Sequence, residues 1–173
     1  MEQNVTAFSE AKTKKRSADL SVRELQASRE DIYAYSKIAH GESLNTFASF
    51  FEAHSLNEAE KRIRDSIKNR YETMYGLFNK QNRLIGAFIV VDSTVDDGEK
   101  VAEVHYFIAE SFQRKGYCTK GLQLLAELLS NTYTYFFFSL RKNNISSKLV
   151  QEHLGSVLQR ETRNHLYYKY CIA

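Results

Sequence analysis

The chain contains the continuous stretch Val101-Ala102-Glu103-Val104-His105-Tyr106-Phe107-Ile108-Ala109-Glu110-Ser111-Phe112-Gln113-Arg114-Lys115-Gly116-Tyr117-Cys118-Thr119. Its first nine residues are mostly β-branched, aromatic or small, and they predict a β-strand. Gly116 predicts a turn, and the leucine-rich segment from about Tyr117 to Asn131 predicts a helix. A strand that enters a helix, with another strand after it, is typical of a parallel crossover within a sheet.

The turn at Gly116 has the chemistry of an anion-binding site. The first N–H groups of a helix have no partner inside the helix, and they lie at the positive end of its dipole. A glycine lets the backbone approach a ligand closely, and Arg114 and Lys115 add positive charge beside it. These residues predict a site for a diphosphate, although their chemistry alone is also compatible with an ordinary turn between a strand and a helix.

The rest of the chain supplies the remaining elements of a mixed sheet. A helix is predicted after Ser28, and the S-x-x-E pattern Ser55 to Glu58 predicts the start of an amphipathic helix. A further helix is predicted over Asn144–Leu154, ended by Gly155. The other predicted strands are Leu20–Leu25, Tyr75–Asn79, Leu84–Asp92, Thr134–Leu140, Val157–Glu161 and His165–Tyr170. The order β-α-α-β-β-β-α-β-α-β-β indicates an α/β protein with one right-handed parallel crossover in a mixed sheet.

Length and composition limit the class of protein. The 173 residues suit one domain, which we place at 17–173, after a basic tail over 1–16 that is expected to be poorly ordered. The net charge of +3 is too small to argue for nucleic-acid binding, although the run Lys12-Thr13-Lys14-Lys15-Arg16 could attract phosphates or an acidic partner. Two cysteines, no signal core and no membrane-length apolar run predict a cytoplasmic protein that does not bind membranes.

Two motifs in order resemble the GNAT superfamily of N-acetyltransferases. Gln113-x-x-Gly116-x-Cys118 resembles its motif Q/R-x-x-G-x-G/A, with Cys118 in place of Gly or Ala and Arg114 where a glycine is frequent. Asn144-Ile145-Ser146-Ser147, followed by Glu152-His153-Leu154-Gly155, is similar to a signature of the branch that acetylates ribosomal-protein N-termini, the RimJ/RimL-like branch. The aromatic residue that usually follows the last glycine is replaced by Ser156. The resemblance covers about residues 19–171.

The resemblance implies a fold and a way of binding acetyl-CoA. The fold is a central mixed sheet of about seven strands, flanked by about four helices and splayed between its fourth and fifth strands. The pantetheine arm would enter this splay and use backbone groups of Phe107, Ile108 and Ala109. The diphosphate would bind the segment Gln113, Arg114, Lys115, Gly116, Tyr117, Cys118 and Thr119, and Asn144 would contact the cofactor from the next helix.

The resemblance also implies direct transfer of the acetyl group to an amine. An ammonium group must first lose a proton, and Glu103 and His105 project from one face of their strand because strand side chains alternate. Glu103 is the preferred base, and either residue could also be structural. Many family members use a tyrosine to protonate the leaving thiolate, but this chain has Gln151 at that position. Ser147 is the expected replacement, unless it only caps the helix.

Several alternatives remain open from the sequence. The acceptor could be a peptide or protein N-terminus, or a small amine such as a polyamine or an aminoglycoside, and the protein could be a monomer or a homodimer. The main alternative function is a non-catalytic CoA-binding or regulatory module on the same fold, and a third is a basic interaction protein that uses residues 12–16. The five histidines have no metal-ligand spacing, so no metal is expected. Cys118 is not expected to be a nucleophile, because no His–Asn partner pattern accompanies it.

Overall fold

The computed structural model describes residues 14–93 and 98–172. Eight strands form one sheet in the order β1-β2-β3-β4-β5-β6-β8-β7. The strands are β1 (Lys14–Arg16), β2 (Leu20–Glu24), β3 (Glu72–Asn79), β4 (Leu84–Asp92), β5 (Val101–Ile108), β6 (Tyr135–Arg141), β7 (Val157–Glu161) and β8 (His165–Cys171). The α-helices are α1 (Arg29–Ile38), α2 (Glu42–Phe47), α3 (Leu56–Lys68), α4 (Tyr117–Leu129) and α5 (Ile145–Leu154), and 3-10 turns cover Ser49–Phe51 and Glu110–Phe112.

The predicted mixed sheet is confirmed, with two additional elements. The expected basic tail reached residue 16, but Lys14–Arg16 form the edge strand β1, antiparallel to β2. Residues 1–13 of that tail lie outside the described part of the chain. The second addition is α2, a six-residue helix after Gly41, which has no apolar period to reveal it. The described residues therefore contain eight strands and five α-helices rather than about seven and about four.

Helices cover both faces of the sheet, because the side chains of its central strands are apolar on both faces and need to be buried. Every residue of β4 from Leu84 to Val90 is buried, as expected for a strand with helices on both sides. Leu122 and Leu125 of α4 pack in one core with Phe136. Residues from α1 to α3, including Tyr35 and Ile63, form a second core on the opposite face.

The sheet opens between β5 and β6. These strands are parallel, and their register extends only from the pair Val101 and Tyr135 to the pair Glu103 and Phe137. Beyond this point β5 continues to Ile108, still paired with β4, while β6 continues to Arg141 along β8. The predicted splay between the fourth and fifth strands is therefore present. Because β1 adds one strand at the start of the sheet, the predicted fourth and fifth strands are β5 and β6.

Candidate active site

A cavity of about 730 Å³ lies at the opening between β5 and β6. Its lining comes from both faces of the sheet. One side is formed by residues within the segment 40–50, including Phe50, and the other by the start of α4 and by α5 with Ser147. β5 separates them: Glu103 and His105 project to the first side, and Tyr106 to the second. The volume is within the usual range for small-molecule sites.

The turn before α4 presents a series of free backbone donors. Gly116 is the N-cap residue of α4 at φ 76°, and no side chain caps this end of the helix. Arg114 is also left-handed, at φ 61°, which gives a physical reason why a glycine would suit this position. Within residues 14–93 and 98–172, the backbone N–H groups from Arg114 to Thr119 donate to no backbone or side-chain acceptor. Such consecutive free N–H groups form a concave anion site.

Gly116 also faces open space. A Cβ built on it has no heavy atom within 4 Å. The side chains of Arg114 and Lys115 are exposed, and Lys115 reaches back to the carbonyl of Ser111 at 3.2 Å. The geometry therefore offers donors, positive charge and free volume at the same point. The diphosphate as the ligand of this point stays a prediction.

The hydrogen bonds of β5 narrow the set of backbone groups that can bind a ligand in the opening. The N–H of Ala109 donates to the carbonyl of Ile85 at 2.9 Å, and the carbonyl of Ala109 accepts from the N–H of Phe112 at 2.8 Å. Alternation along an antiparallel pair directs the polar groups of Phe107 toward β4 as well. The backbone N–H and carbonyl of Ile108 face the opening, and the carbonyl accepts a hydrogen bond from Gln113 Nε2 at 2.9 Å. Of the three predicted residues, Ile108 is thus the one with an N–H directed into the cavity.

Glu103 and His105 lie together on the α1–α3 side of β5. Their Oε1 and Nε2 atoms are 3.5 Å apart. The ring of Phe50 packs edge-on against His105, with 5.0 Å between centroids. Burial lowers the pKa of His105 below its usual value, although the carboxylates of Glu103 and Glu72 oppose this effect. His105 is therefore a neutral imidazole at neutral pH and is able to accept a proton.

The lowered pKa of His105 predicts a pH-dependent stability. Between its lowered folded value and its unfolded value near 6.5, the unfolded chain binds more protons at this residue, so the free energy of unfolding falls as the pH falls below 6.5. We expect the variant His105→Gln to lose less stability than the wild type between pH 7.5 and pH 5.5. Urea denaturation at both pH values measures this difference. An equal loss in the two proteins would show that the pKa of His105 is the same in the folded and the unfolded chain.

Asn144 and Ser147 lie at the start of α5, on the other side of β5. The Oδ1 atom of Asn144 accepts from the N–H of Ser147 at 3.1 Å, so Asn144 is the N-cap residue of this helix. Its side-chain NH₂ group remains available to a ligand at the cavity wall. Ser147 also lines the cavity, and its side chain lies next to the phenol of Tyr106.

Cys118 lines the same cavity from the first turn of α4. Burial raises the pKa of its thiol above the usual range, so the group is a neutral thiol rather than a reactive thiolate. No group of three or more His, Cys, Asp or Glu side chains suited to a metal occurs in the described residues. Among the same residues, none of the helices has the length and apolar character needed to span a membrane.

The sequence analysis missed two parts of the lining. Phe47 and Phe50 reach the Glu103–His105 side of the cavity from α2 and the 3-10 turn after it, elements with no sequence signal. Tyr106 was not singled out, although the alternation that places Glu103 and His105 on one face of β5 places Tyr106 on the other. The strand period was the signal that could have found it.

Comparison with known proteins agrees with this geometry. A family model described as "Acetyltransferase (GNAT) domain" matches residues 19–157. The chain belongs to the GNAT acetyltransferase family. No curated protein sequence matches it significantly.

Solved structures of several acetyltransferases share the fold at low sequence identity. RimL, a ribosomal L7/L12 alpha-N-protein acetyltransferase, superposes with a TM-score of 0.77 at 19% identity over 90% of this chain and 91% of that one. Ribosomal-protein-S5-alanine acetyltransferase from Vibrio fischeri gives 0.74 at 14% identity, covering 92% and 96%. The microcin C7 self-immunity acetyltransferase MccE, solved with acetyl-CoA and AMP, gives 0.73 at 13% identity, covering 90% and 93%. This chain thus spans most of the length of each of these structures.

Proposed function

We propose that this GNAT domain transfers an acetyl group from acetyl-CoA to a primary amine by direct attack in a ternary complex. The observation that carries the proposal is the opening between β5 and β6. It has free N–H donors at one end and the Glu103–His105 pair on one of its walls. A diphosphate fits the first feature, and an amine that must lose a proton fits the second.

Acetyl-CoA binding is assigned to the donors around Gly116. The N–H groups from Arg114 to Thr119 would hold the diphosphate, with added charge from Arg114 and Lys115. Ile108 would hydrogen-bond the pantetheine arm or the acetyl carbonyl, and Gln113 fixes the orientation of Ile108 through its carbonyl. The NH₂ group of Asn144 would contact the cofactor from α5.

Proton transfer is assigned to groups on the two faces of β5. Glu103 would take the proton from the ammonium form of the acceptor, directly or through a water molecule. His105, neutral and 3.5 Å from Glu103, would accept that proton or orient the carboxylate. The Ile108 N–H would stabilise the negative charge that develops on the acetyl oxygen. On the opposite side of β5, Ser147 is the proposed source of the proton that the sulfur takes up, directly or through a neighbouring hydroxyl group.

The acceptor is a peptide or protein N-terminus or a small-molecule amine. RimL and the S5-alanine acetyltransferase are named for ribosomal proteins, which supports an N-terminal α-amino group as the first acceptor to test. The side of the cavity that we assign to the acceptor is the one with Phe47, Phe50 and the carboxylate of Glu103. This lining suits one amine beside an apolar group. We place the enzyme in the cytoplasm as a monomer or homodimer, without nucleic acid, a membrane or a metal as a partner.

Two measurements test the proposed function. Acetyl-CoA at millimolar concentration should raise the melting temperature, because a ligand that binds only the folded state stabilises it. Acetyl-CoA with an amine panel of N-terminal peptides, polyamines and aminoglycosides should release free thiol. A melting temperature that does not change would contradict the proposal. Cofactor binding without turnover over the whole panel would favour the non-catalytic CoA-binding module.

A further inference from the structure

A partly buried tyrosine lies in the cavity on the side opposite Glu103. Tyr106 projects from β5 toward α5, with its ring packed edge-on against Phe138 at 6.0 Å between centroids. None of the functional roles proposed above uses it. A phenol at a cavity wall needs hydrogen-bond partners when it is buried, so its partners indicate what it does there.

Gln151 holds the phenol of Tyr106 in place. Its Nε2 atom donates to the Tyr106 oxygen at 3.1 Å, and its Oε1 atom accepts from Ser156 Oγ at 2.7 Å. The two ends of the amide therefore bond to the tyrosine and to the serine. Gln151 is fully buried, so this arrangement is shielded from water. Because the phenol oxygen accepts from Gln151, its own proton remains available for a second partner.

Ser147 is that second neighbour. Ser147 and Gln151 are one helical turn apart on the same face of α5. Burial raises the pKa of the Tyr106 hydroxyl, and hydrogen bonding from both side chains opposes this rise. Two hydroxyl groups thus share this wall of the cavity, together with the thiol of Cys118. Of these three groups, the phenol is part of the hydrogen-bonded chain Ser156–Gln151–Tyr106, which holds it in place.

We propose that Tyr106 is a catalytic residue that protonates the sulfur of CoA as it leaves, an inference that rests on the proposed acetyl transfer. The amine nitrogen forms a bond to the acetyl carbon, the carbon–sulfur bond breaks, and sulfur keeps the bonding electron pair. The phenol proton moves to sulfur and gives the free thiol. The phenolate recovers a proton from solvent through the hydroxyl of Ser147, and the proton lost by the amine leaves through Glu103.

The protonation state of the site supports this role. Burial raises the pKa of Tyr106 above its usual range, Cys118 adds to this effect, and the hydrogen bonds from Ser147 and Gln151 oppose it. The phenol is therefore fully protonated at neutral pH. Burial also raises the pKa of Cys118, a thiol in the same cavity. A CoA thiolate formed in that environment would be a stronger base than in water, so proton transfer from the phenol is favoured there.

The test is the turnover of Tyr106→Phe, which keeps the ring and removes the proton donor. We expect kcat to fall about 100-fold, the size usual for a positioned acid, with the Kd for acetyl-CoA changed by less than about threefold. Ser147→Ala should lower kcat less than Tyr106→Phe does. The matched control is Tyr168→Phe, a buried tyrosine of the same core outside the cavity lining, which should keep the wild-type kcat.

The variant Tyr106→Phe/Gln151→Leu guards against misfolding, because it removes both members of the Tyr106–Gln151 hydrogen bond. The hydroxyl of Ser156 also loses its partner, but Ser156 is partly exposed and can bond to water instead. It should melt close to the wild type and remain as slow as Tyr106→Phe. A kcat within about threefold of the wild type in either variant would overturn the role of Tyr106 while leaving acetyl transfer intact. Absence of thiol release by the wild-type protein would instead overturn the proposed function, and with it this inference.

Discussion

The variant Gly116→Glu is expected to abolish acetyl-CoA binding. A left-handed backbone at φ 76° costs a side-chain-bearing residue about 1–2 kcal/mol, but this strain is present with and without ligand. The loss of affinity comes from charge, because the side chain enters the open space at Gly116 and faces the proposed diphosphate. Two like charges about 4 Å apart near a protein surface repel by about 4 kcal/mol, which corresponds to a Kd increased about 1,000-fold.

Gly98→Glu is the matched control. Gly98 has φ 82° and the same open space at its Cβ position, so it takes up the same strain and the same charge outside the cavity lining. Calorimetric titration with acetyl-CoA should give the wild-type Kd for Gly98→Glu and no measurable heat for Gly116→Glu. Gly116→Ala, which has the strain without the charge, should lie close to the wild type. Retained binding by Gly116→Glu would show that the site assignment around α4 is wrong.

The fold could be predicted where the sequence has a regular hydrophobic period. The apolar run of β4 and the leucines of α4 place both elements without ambiguity, since each buries the residues that its period selects. β1 and α2 have no such period. β1 exists because an edge of the sheet is open to pairing beside β2, and α2 follows a turn at Gly41, where φ is 124°. Both depend on tertiary contacts rather than on local sequence.

In the candidate site, too, the features that follow from a local sequence period could be predicted, and those that depend on tertiary contacts could not. The strand period places Glu103 and His105 on one face, and the structure brings their polar atoms to 3.5 Å. No local pattern indicates that Ser156 fixes Gln151 and that Gln151 fixes Tyr106, because the contact joins residues 45 apart in sequence. Similarly, the N–H of Ala109 donates a hydrogen bond to the carbonyl of Ile85 in β4. The sequence of β5 alone does not indicate this bond.

The variant Glu103→Gln is expected to lower kcat by about 10²–10⁴, the contribution typical of a general base. The amide has nearly the shape of the carboxylate but cannot take a proton from the ammonium group. Glu103 projects to the face of β5 opposite Tyr106, away from the donors around Gly116, so the Kd for acetyl-CoA should not change. Steady-state kinetics with an N-terminal peptide, together with calorimetric titration of acetyl-CoA, separate these two effects.

The pH profile decides whether Glu103 acts on the proton of the amine. The α-amino group of a peptide has a pKa of about 8, so above that pH most acceptor molecules are already neutral. The deficit of Glu103→Gln should therefore shrink steadily between pH 7 and pH 9.5, while Glu161→Gln, a control on the exposed strand β7, should match the wild type throughout. A deficit that stays constant with pH would give Glu103 a positioning role. If Glu103→Gln is fully active and His105→Gln shows the pH-dependent deficit, His105 is the base, because its imidazole is neutral and next to the same carboxylate.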